Sequence, residues 1–298
     1  MKNNKSLIDY MLLLGISVIW GSQFFFSALA LQYFPPIIIA FLRVCIGVAT
    51  LSFFLLFCQK SKKPNLRNYL LFFIIGFFEA TLPFFLILWG QQHTSSNITS
   101  ILIATIPLFT IGIIYIFIDH NSISRYQFIA IIIGFFAVFI LLSAKINFSN
   151  SIICNFSDLL GELSILMGAM SFAISIILIQ QISHLSSINS ARNILLSSCL
   201  QLLPFALFSM FFMNNWQFHY NFISLLSVLL LGIFATGIVY VMYVILIKRS
   251  GPTFASLNNY FIPIIGILLG NFILKEHMNL QILFALLILI IAMIINNY

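Results

Sequence analysis

The chain has 298 residues, of which 62% are hydrophobic and only 6% are charged, and its mean hydropathy is +1.13. A soluble domain carries about 25% charged residues, so this composition excludes an ordinary water-facing surface. The formal net charge of +7 does not indicate nucleic-acid binding, because the basic residues are scattered between apolar runs and form no patch. The composition therefore predicts an integral membrane protein in contact with the lipid bilayer.

Long apolar runs follow one another along the whole chain, separated by short connections. A helix needs about 20 mostly apolar residues to cross the hydrocarbon core. Strands of a transmembrane barrel are excluded, since they alternate apolar and polar residues over about ten positions. Helices form the hydrogen bonds of every backbone group within the segment. The sequence predicts an all-α membrane protein with ten transmembrane helices, at approximately 10–30, 37–57, 68–89, 95–117, 126–143, 160–181, 192–213, 222–247, 253–273 and 280–296.

The lysines and arginines predict the orientation of these helices. If the N-terminus is inside, the outer loops hold only Lys145 and Lys275, while Arg43 lies within the second helix. An excess of basic residues marks the cytoplasmic side. Both termini are therefore expected in the cytoplasm, with the protein in a bacterial inner membrane. The inner segments hold Lys2, Lys5, Lys60, Lys62, Lys63, Arg67, Arg125, Arg192, Lys248 and Arg249.

The two halves of the sequence are similar to each other. The segment SQFFFSALALQYFPPIIIAFLR, which ends at Arg43, has the same spacing from serine to arginine as SFAISIILIQQISHLSSINSAR, which ends at Arg192. Gly76 and Gly232 fall into a common frame, as do Pro107 and Pro263. Two repeats are predicted, 1–145 and 158–298. Each has five helices, an odd number, so the second is inverted, which is typical of transporters with a site at the repeat interface.

Several segments resemble the ten-helix drug/metabolite transporters that are built from two EamA-type repeats. These segments are VIWGSQF, AFLR with Arg43, WGQQHTSSNITSILIATIP, and KRSGPTFASLNNYFIPIIGILLGNFILKEHMNLQ with Glu276. The last is the most specific, because it pairs a glutamate after the ninth helix with a glutamine that opens the tenth. The first repeat departs from this pattern, with Asp119 and His120 where a glutamate is typical.

The resemblance implies a basket of helices around a central cavity, with the fifth and tenth helices at the rim. It also implies a secondary transporter that moves a small polar metabolite, often outward and commonly an amino acid, and that in many members uses a proton gradient. The substrate stays open. A nucleoside-like cofactor of the S-adenosylmethionine type and a drug-like cation are alternatives, and a membrane enzyme or a non-transporting scaffold is more distant.

Glu79 lies deep within the third predicted helix, in the run GFFEATLPFFLILWG. A charge at the bilayer centre costs about 2.5–3.5 kcal/mol on insertion scales, so this side chain should face the protein interior or a water-filled cavity. Burial favours the neutral form of a carboxyl group in general, which is the property that a proton-coupled carrier needs. The alternative is a structural glutamate. Pro83 should disrupt the hydrogen bond to the Glu79 carbonyl and reshape the helix.

Other polar and aromatic residues at depth are candidates for binding substrate or protons. Arg43 could pair with Glu79, bind a substrate carboxylate, or extend to the headgroups. Glu162 and Asp158 open the sixth helix, where a solvated helix end is expected rather than a gate. Trp20 and Trp89 fit either an interfacial belt or the cavity wall. The remaining candidates are Gln23, Tyr240, Tyr243, Asn258, Asn259 and Tyr260, and Pro107 and Pro263 are expected to shape their helices as Pro83 does.

No signal for a cofactor, a metal or an enzyme emerges from the sequence. The six acidic residues and five histidines are dispersed, and there is no Walker A motif, Rossmann fingerprint or H-E-x-x-H. The four cysteines show neither metal spacing nor an indicated pairing. The expected partners are a small-molecule substrate, protons and lipid, and the oligomeric state is left open.

Overall fold

The computed structural model describes residues 6–57, 64–117, 124–143, 156–182, 185–212, 221–250, 254, 258–276 and 279–296. Across these residues the regular structure is helical, without strands. We number the helical spans α1 to α10: α1 Leu7–Leu31, α2 Pro36–Leu55, α3 Leu66–Gln91, α4 Ser96–Phe117, α5 Arg125–Ser143, α6 Phe156–Ile179, α7 Ser187–Phe212, α8 with the parts Phe222–Leu230, Leu231–Ile238 and Val239–Ser250, α9 Asn258–Phe272, and α10 Leu280–Asn296.

These spans confirm the prediction of a ten-helix membrane protein. Eight helices in the described part of the chain are long and apolar enough to cross a membrane, and two shorter apolar ones, Phe261–Phe272 and Leu280–Ile295, complete the set. Large apolar side chains face outward along them; Leu66, for example, is 87% exposed. Lipid is the solvent that makes such a surface stable. The predicted start of the ninth helix at 253, the repeat boundary at 145, and Asp119 and His120 lie outside the described residues.

The helices pack in a pattern with two-fold symmetry. We call α1–α5 the first repeat and α6–α10 the second. Helix α1 packs on α8 and α9, and its counterpart α6 packs on α3 and α4. Likewise α2 packs on α8, and its counterpart α7 packs on α3. The symmetry also relates α2 to α7 and α5 to α10, and the two helices of each of these pairs pack on each other. Because successive spans alternate in direction and each repeat has five, the two repeats are inverted relative to each other.

Two π-helical segments interrupt equivalent helices of the two repeats. In α3 the segment Phe77–Thr81 separates the α-helical parts Leu66–Gly76 and Leu82–Gln91, and in α8 the segment is Leu231–Ile238. Pro83 follows the first segment and has no N–H to donate to the carbonyl four residues earlier, which accounts for the altered pattern in α3. Single π-helical turns inside α-helices occur frequently at functional sites.

Glu276, which follows α9, holds the first turn of α4. Its carboxylate oxygens accept hydrogen bonds from the backbone N–H groups of Ser96 and Asn97, at 2.9 and 3.0 Å. The first N–H groups of a helix have no partner within it, and a carboxylate also interacts favourably with that end of the helix dipole. The glutamate of the family-like motif therefore ties the second repeat to the first.

Candidate functional site

Glu79 lies at the contact between the two repeats. It belongs to the π-helical segment of α3, and its side chain is only 8% exposed. The hydroxyl groups of Ser175 on α6 and Tyr240 on α8 donate hydrogen bonds to its two carboxylate oxygens. A carboxylate of the first repeat is thus held by two donors of the second.

Side chains of α6 and α7 fix the irregular part of α3 in place. Ser198 donates to the carbonyl of Gly76 at 2.7 Å, and Ser171 donates to the carbonyl of Phe78 at 2.8 Å. Gln201 accepts from Thr81 and donates to a carbonyl one turn before the π-helical segment. Buried backbone carbonyls need such partners when the regular helical bonds are disturbed. These contacts hold the backbone on both sides of Glu79.

Aromatic side chains form one wall beside Glu79. The ring of Trp20 on α1 lies edge-on to Tyr240, with centroids 6.3 Å apart, and it lies 5.1 Å from the ring of Tyr243. Trp20 is half-buried in this contact. The structure thus places Trp20 against two aromatic side chains of the second repeat.

Arg43 lies nearby on α2 and is 4% exposed. Its Nε donates to Thr236 Oγ1 at 3.2 Å and its Nη2 donates to Gln23 Oε1 at 3.3 Å. Its guanidinium carbon lies 3.9 Å from the centre of the Phe84 ring. Thr236 precedes Tyr240 on α8, so this one helix bonds to both Arg43 and Glu79. In the described part of the chain Arg43 forms no ion pair with Glu79.

A small cavity opens beside Arg43. Its volume is about 20 Å³, enough for about one water molecule. The cavity is therefore too narrow for a metabolite in this conformation, and a metabolite needs a movement of the helices to enter. It is lined by Gln23, Phe24, Ser27, Arg43, Phe84, Ile87, Leu88, Ile103 and Phe172.

The other predicted residues whose side chains the structure describes form no hydrogen bond with the Glu79 carboxylate. Trp89 packs on His93, with ring centroids 4.8 Å apart. Asn258 is 1% exposed, and its amide has no hydrogen-bond partner among the described residues. Asn259 is half-buried, and the side chain of Tyr260 lies outside the described part of the structure. Pro107 is the second residue of the α4 part Ile106–Phe117, and Pro263 lies within α9.

One sequence prediction is wrong: Glu162 is not part of a solvated helix end. Its side chain is 0% exposed, and Thr94 Oγ1 donates to its Oε1 at 3.3 Å. The reason is the close approach of α6 to α3, where a Cβ on Gly161 would lie 2.9 Å from the carbonyl oxygen of Gly90. This packing buries Gly161 and Glu162, although Phe156 at the start of α6 is exposed.

Sequence reasoning also missed residues that complete the site. Ser175, Thr236, Phe84 and Phe172 were not candidates. A signal for Ser175 was present, because Ser164, Ser171 and Ser175 recur at helical spacing and share one face of α6. The contact between Cys45 and Cys199, whose sulfur atoms lie 2.9 Å apart, had no sequence signal. No group of three or more residues suited to a metal occurs within the described ranges.

Comparison with known proteins shows that the chain is similar to transporters. The model of the EamA-like transporter family matches residues 7–143 and 159–298. The uncharacterized transporter YoaV of Bacillus subtilis is 25% identical over 96% of this chain and 95% of its own. An uncharacterized transporter of Buchnera aphidicola, from the trpA 3' region, is 27% identical over 90% of this chain and 86% of its own.

Two further likenesses bear on location and fold. The uncharacterized inner membrane transporter YedA of Escherichia coli K12 is 25% identical over 87% of this chain and 80% of its own. A crystal structure of a protein with 14% sequence identity superposes with a TM-score of 0.67, covering 96% of this chain and 95% of that one. At that identity the superposition shows the fold alone.

Proposed function

Because the chain belongs to the EamA-like transporter family, we propose that it is a secondary transporter that exports a small polar metabolite, an amino acid or a related compound. It works by alternating access, in which the two inverted repeats rock against each other around a site between them. Proton binding at Glu79 is coupled to this movement.

The observation that carries the proposal is the pair of hydrogen bonds across the repeats at Glu79. The carboxylate lies on α3, and its donors Ser175 and Tyr240 lie on α6 and α8. An ionised carboxylate only accepts hydrogen bonds, whereas a protonated one carries a donor of its own. Protonation therefore changes a contact that joins the two repeats, and a ligand that binds one state better shifts the balance between conformations.

We infer that this conformation is an occluded state, which a narrow cavity and contacts between the repeats support. The cavity beside Arg43 holds about one water molecule. Glu276 joins the repeats at the first turn of α4. Opening towards either side of the membrane must separate some of these contacts. We infer an inner-membrane location with cytoplasmic termini, supported by the basic residues of the inner segments.

A drug-like cation is the second candidate substrate. The arrangement that favours it is the buried carboxylate of Glu79 beside the rings of Trp20, Tyr240 and Tyr243. Aromatic faces attract cations, and a carboxylate supplies the opposite charge.

Counterflow in proteoliposomes tests the proposal. Vesicles are preloaded with amino acids, nucleosides or cationic drugs, and the uptake of each labelled compound is followed with and without a pH gradient. The proposal predicts saturable uptake of one class that responds to the gradient. Purified, folded protein that moves no compound of the panel would contradict it.

A further inference from the structure

The guanidinium of Arg43 is a buried cation whose partners are neutral. It is 4% exposed, and it contacts Thr236 Oγ1, Gln23 Oε1 and the face of the Phe84 ring. No carboxylate forms an ion pair with it among the residues that the structure describes. By contrast, Arg249 at the end of α8 pairs with Asp9 at 2.7 Å. Arg43 thus differs from an arginine whose charge is compensated within the protein.

Among the described residues, this arrangement leaves some N–H donors of Arg43 without a hydrogen bond. Arginine stays charged in proteins and carries five N–H donors in a planar fork. The two hydrogen bonds to Gln23 and Thr236 use two of them. A buried charge without an opposite charge is costly, and the ring of Phe84 offsets only part of that cost. An anion that reaches the remaining donors would supply the missing charge.

The cavity lies where such an anion would bind. Arg43, Gln23 and Ser27 contribute polar groups to its wall, and Phe84 and Phe172 contribute apolar surface. The wall is built by both repeats, since Phe172 lies on α6. One fixed cation, a few hydrogen-bonding groups and apolar walls are the usual lining of small-molecule pockets, which are larger than this narrow cavity.

We propose that Arg43 binds the carboxylate of the transported substrate, and that the apolar part of the same substrate packs against Phe84 and Phe172. The inference rests on the proposed transport function and names the substrate class: small carboxylates with an apolar group. Guanidinium and carboxylate form paired, charge-assisted hydrogen bonds, which are the strongest that these donors can make. Since the cavity is nearly closed, the substrate enters in a more open conformation, and the pairing favours closure around it.

Matched ligands test this assignment on the unaltered protein. Thermal unfolding in detergent is followed with L-phenylalanine, L-leucine and phenylacetate, each beside its amide, and with 2-phenylethylamine as a cation without a carboxylate. At least one carboxylate should raise the Tm, and its amide should bind at least about tenfold more weakly, as the loss of charge-assisted hydrogen bonds predicts.

Variants then connect the effect to one residue. Arg43→Gln should abolish the shift in Tm, and Arg43→Lys should retain part of it. Arg249→Gln removes an arginine outside the cavity and should leave the response intact. Amides or the amine binding as well as the carboxylates would overturn the assignment, and so would the absence of any shift with all three carboxylates. Binding without counterflow would instead refute the transport function and leave this assignment standing.

Discussion

Tyr240 of the second repeat donates a hydrogen bond to Glu79 of the first. Its ring also packs against Trp20, so one side chain joins α8 to both α1 and α3. The contact lies just after the π-helical segment of α8 and engages the π-helical segment of α3. The irregular part of α3 therefore meets the first turn after the irregular part of α8 at the carboxylate that the sequence places deepest in a span.

Replacing Tyr240 with phenylalanine removes the hydroxyl group and keeps the ring, so the contributions of the two can be distinguished. Tyr240→Phe should keep the packing on Trp20 and lose one donor to Glu79, so gradient-driven transport should fall by about tenfold while the protein stays folded. Uptake in proteoliposomes under a pH gradient measures this. Tyr243→Phe is the control, since the described structure gives its hydroxyl no hydrogen bond. Equal losses in both variants would show that the hydroxyl of Tyr240 has no special role.

Glu276 should contribute to stability through the first turn of α4. Glu276→Gln removes the charge and leaves a single acceptor oxygen for the two N–H groups of Ser96 and Asn97. The expected loss is about 1–3 kcal/mol, measured as a lower Tm in detergent. Lys275→Gln is the control, because Lys275 is an exposed neighbour. A Tm for Glu276→Gln equal to that of the control would rule out this capping role.

The close contact of α3 with α6 should depend on a glycine. A Cβ at position 90 would lie 2.6 Å from Ile165 Cγ1, so Gly90→Ala should lower the stability by about 1–3 kcal/mol through overpacking. At Gly112 a Cβ would meet nothing within 4 Å. Gly112→Ala should therefore leave the Tm unchanged or raise it. Similar Tm values for the two variants would contradict the packing described here.

The sequence predicted the fold well because a helix that spans a lipid bilayer needs a long run of apolar residues. Ten apolar runs, their basic flanks and the common spacing around Arg43 and Arg192 are local features, and they sufficed for a ten-helix fold with two repeats. That Glu79 should avoid lipid was predictable in the same way, from its position within one run, and its side chain is 8% exposed.

The partners of these residues were not predictable, because they depend on contacts between distant helices. Ser175 and Thr236 are ordinary in apolar helices, and only the packing of α6 and α8 brings them to Glu79 and Arg43. Glu162 shows the converse. Its position near a helix end predicts exposure to solvent, yet the close approach of α3 buries its side chain.

The central claim is that Glu79 couples proton binding to the movement of the repeats. Its most direct test is to compare two kinds of transport by Glu79→Gln in proteoliposomes: counterflow, which needs only exchange, and uphill movement driven by a pH gradient. The account predicts that the variant keeps measurable counterflow and loses the response to the gradient. Gradient-driven transport at the level of the unaltered protein would contradict it.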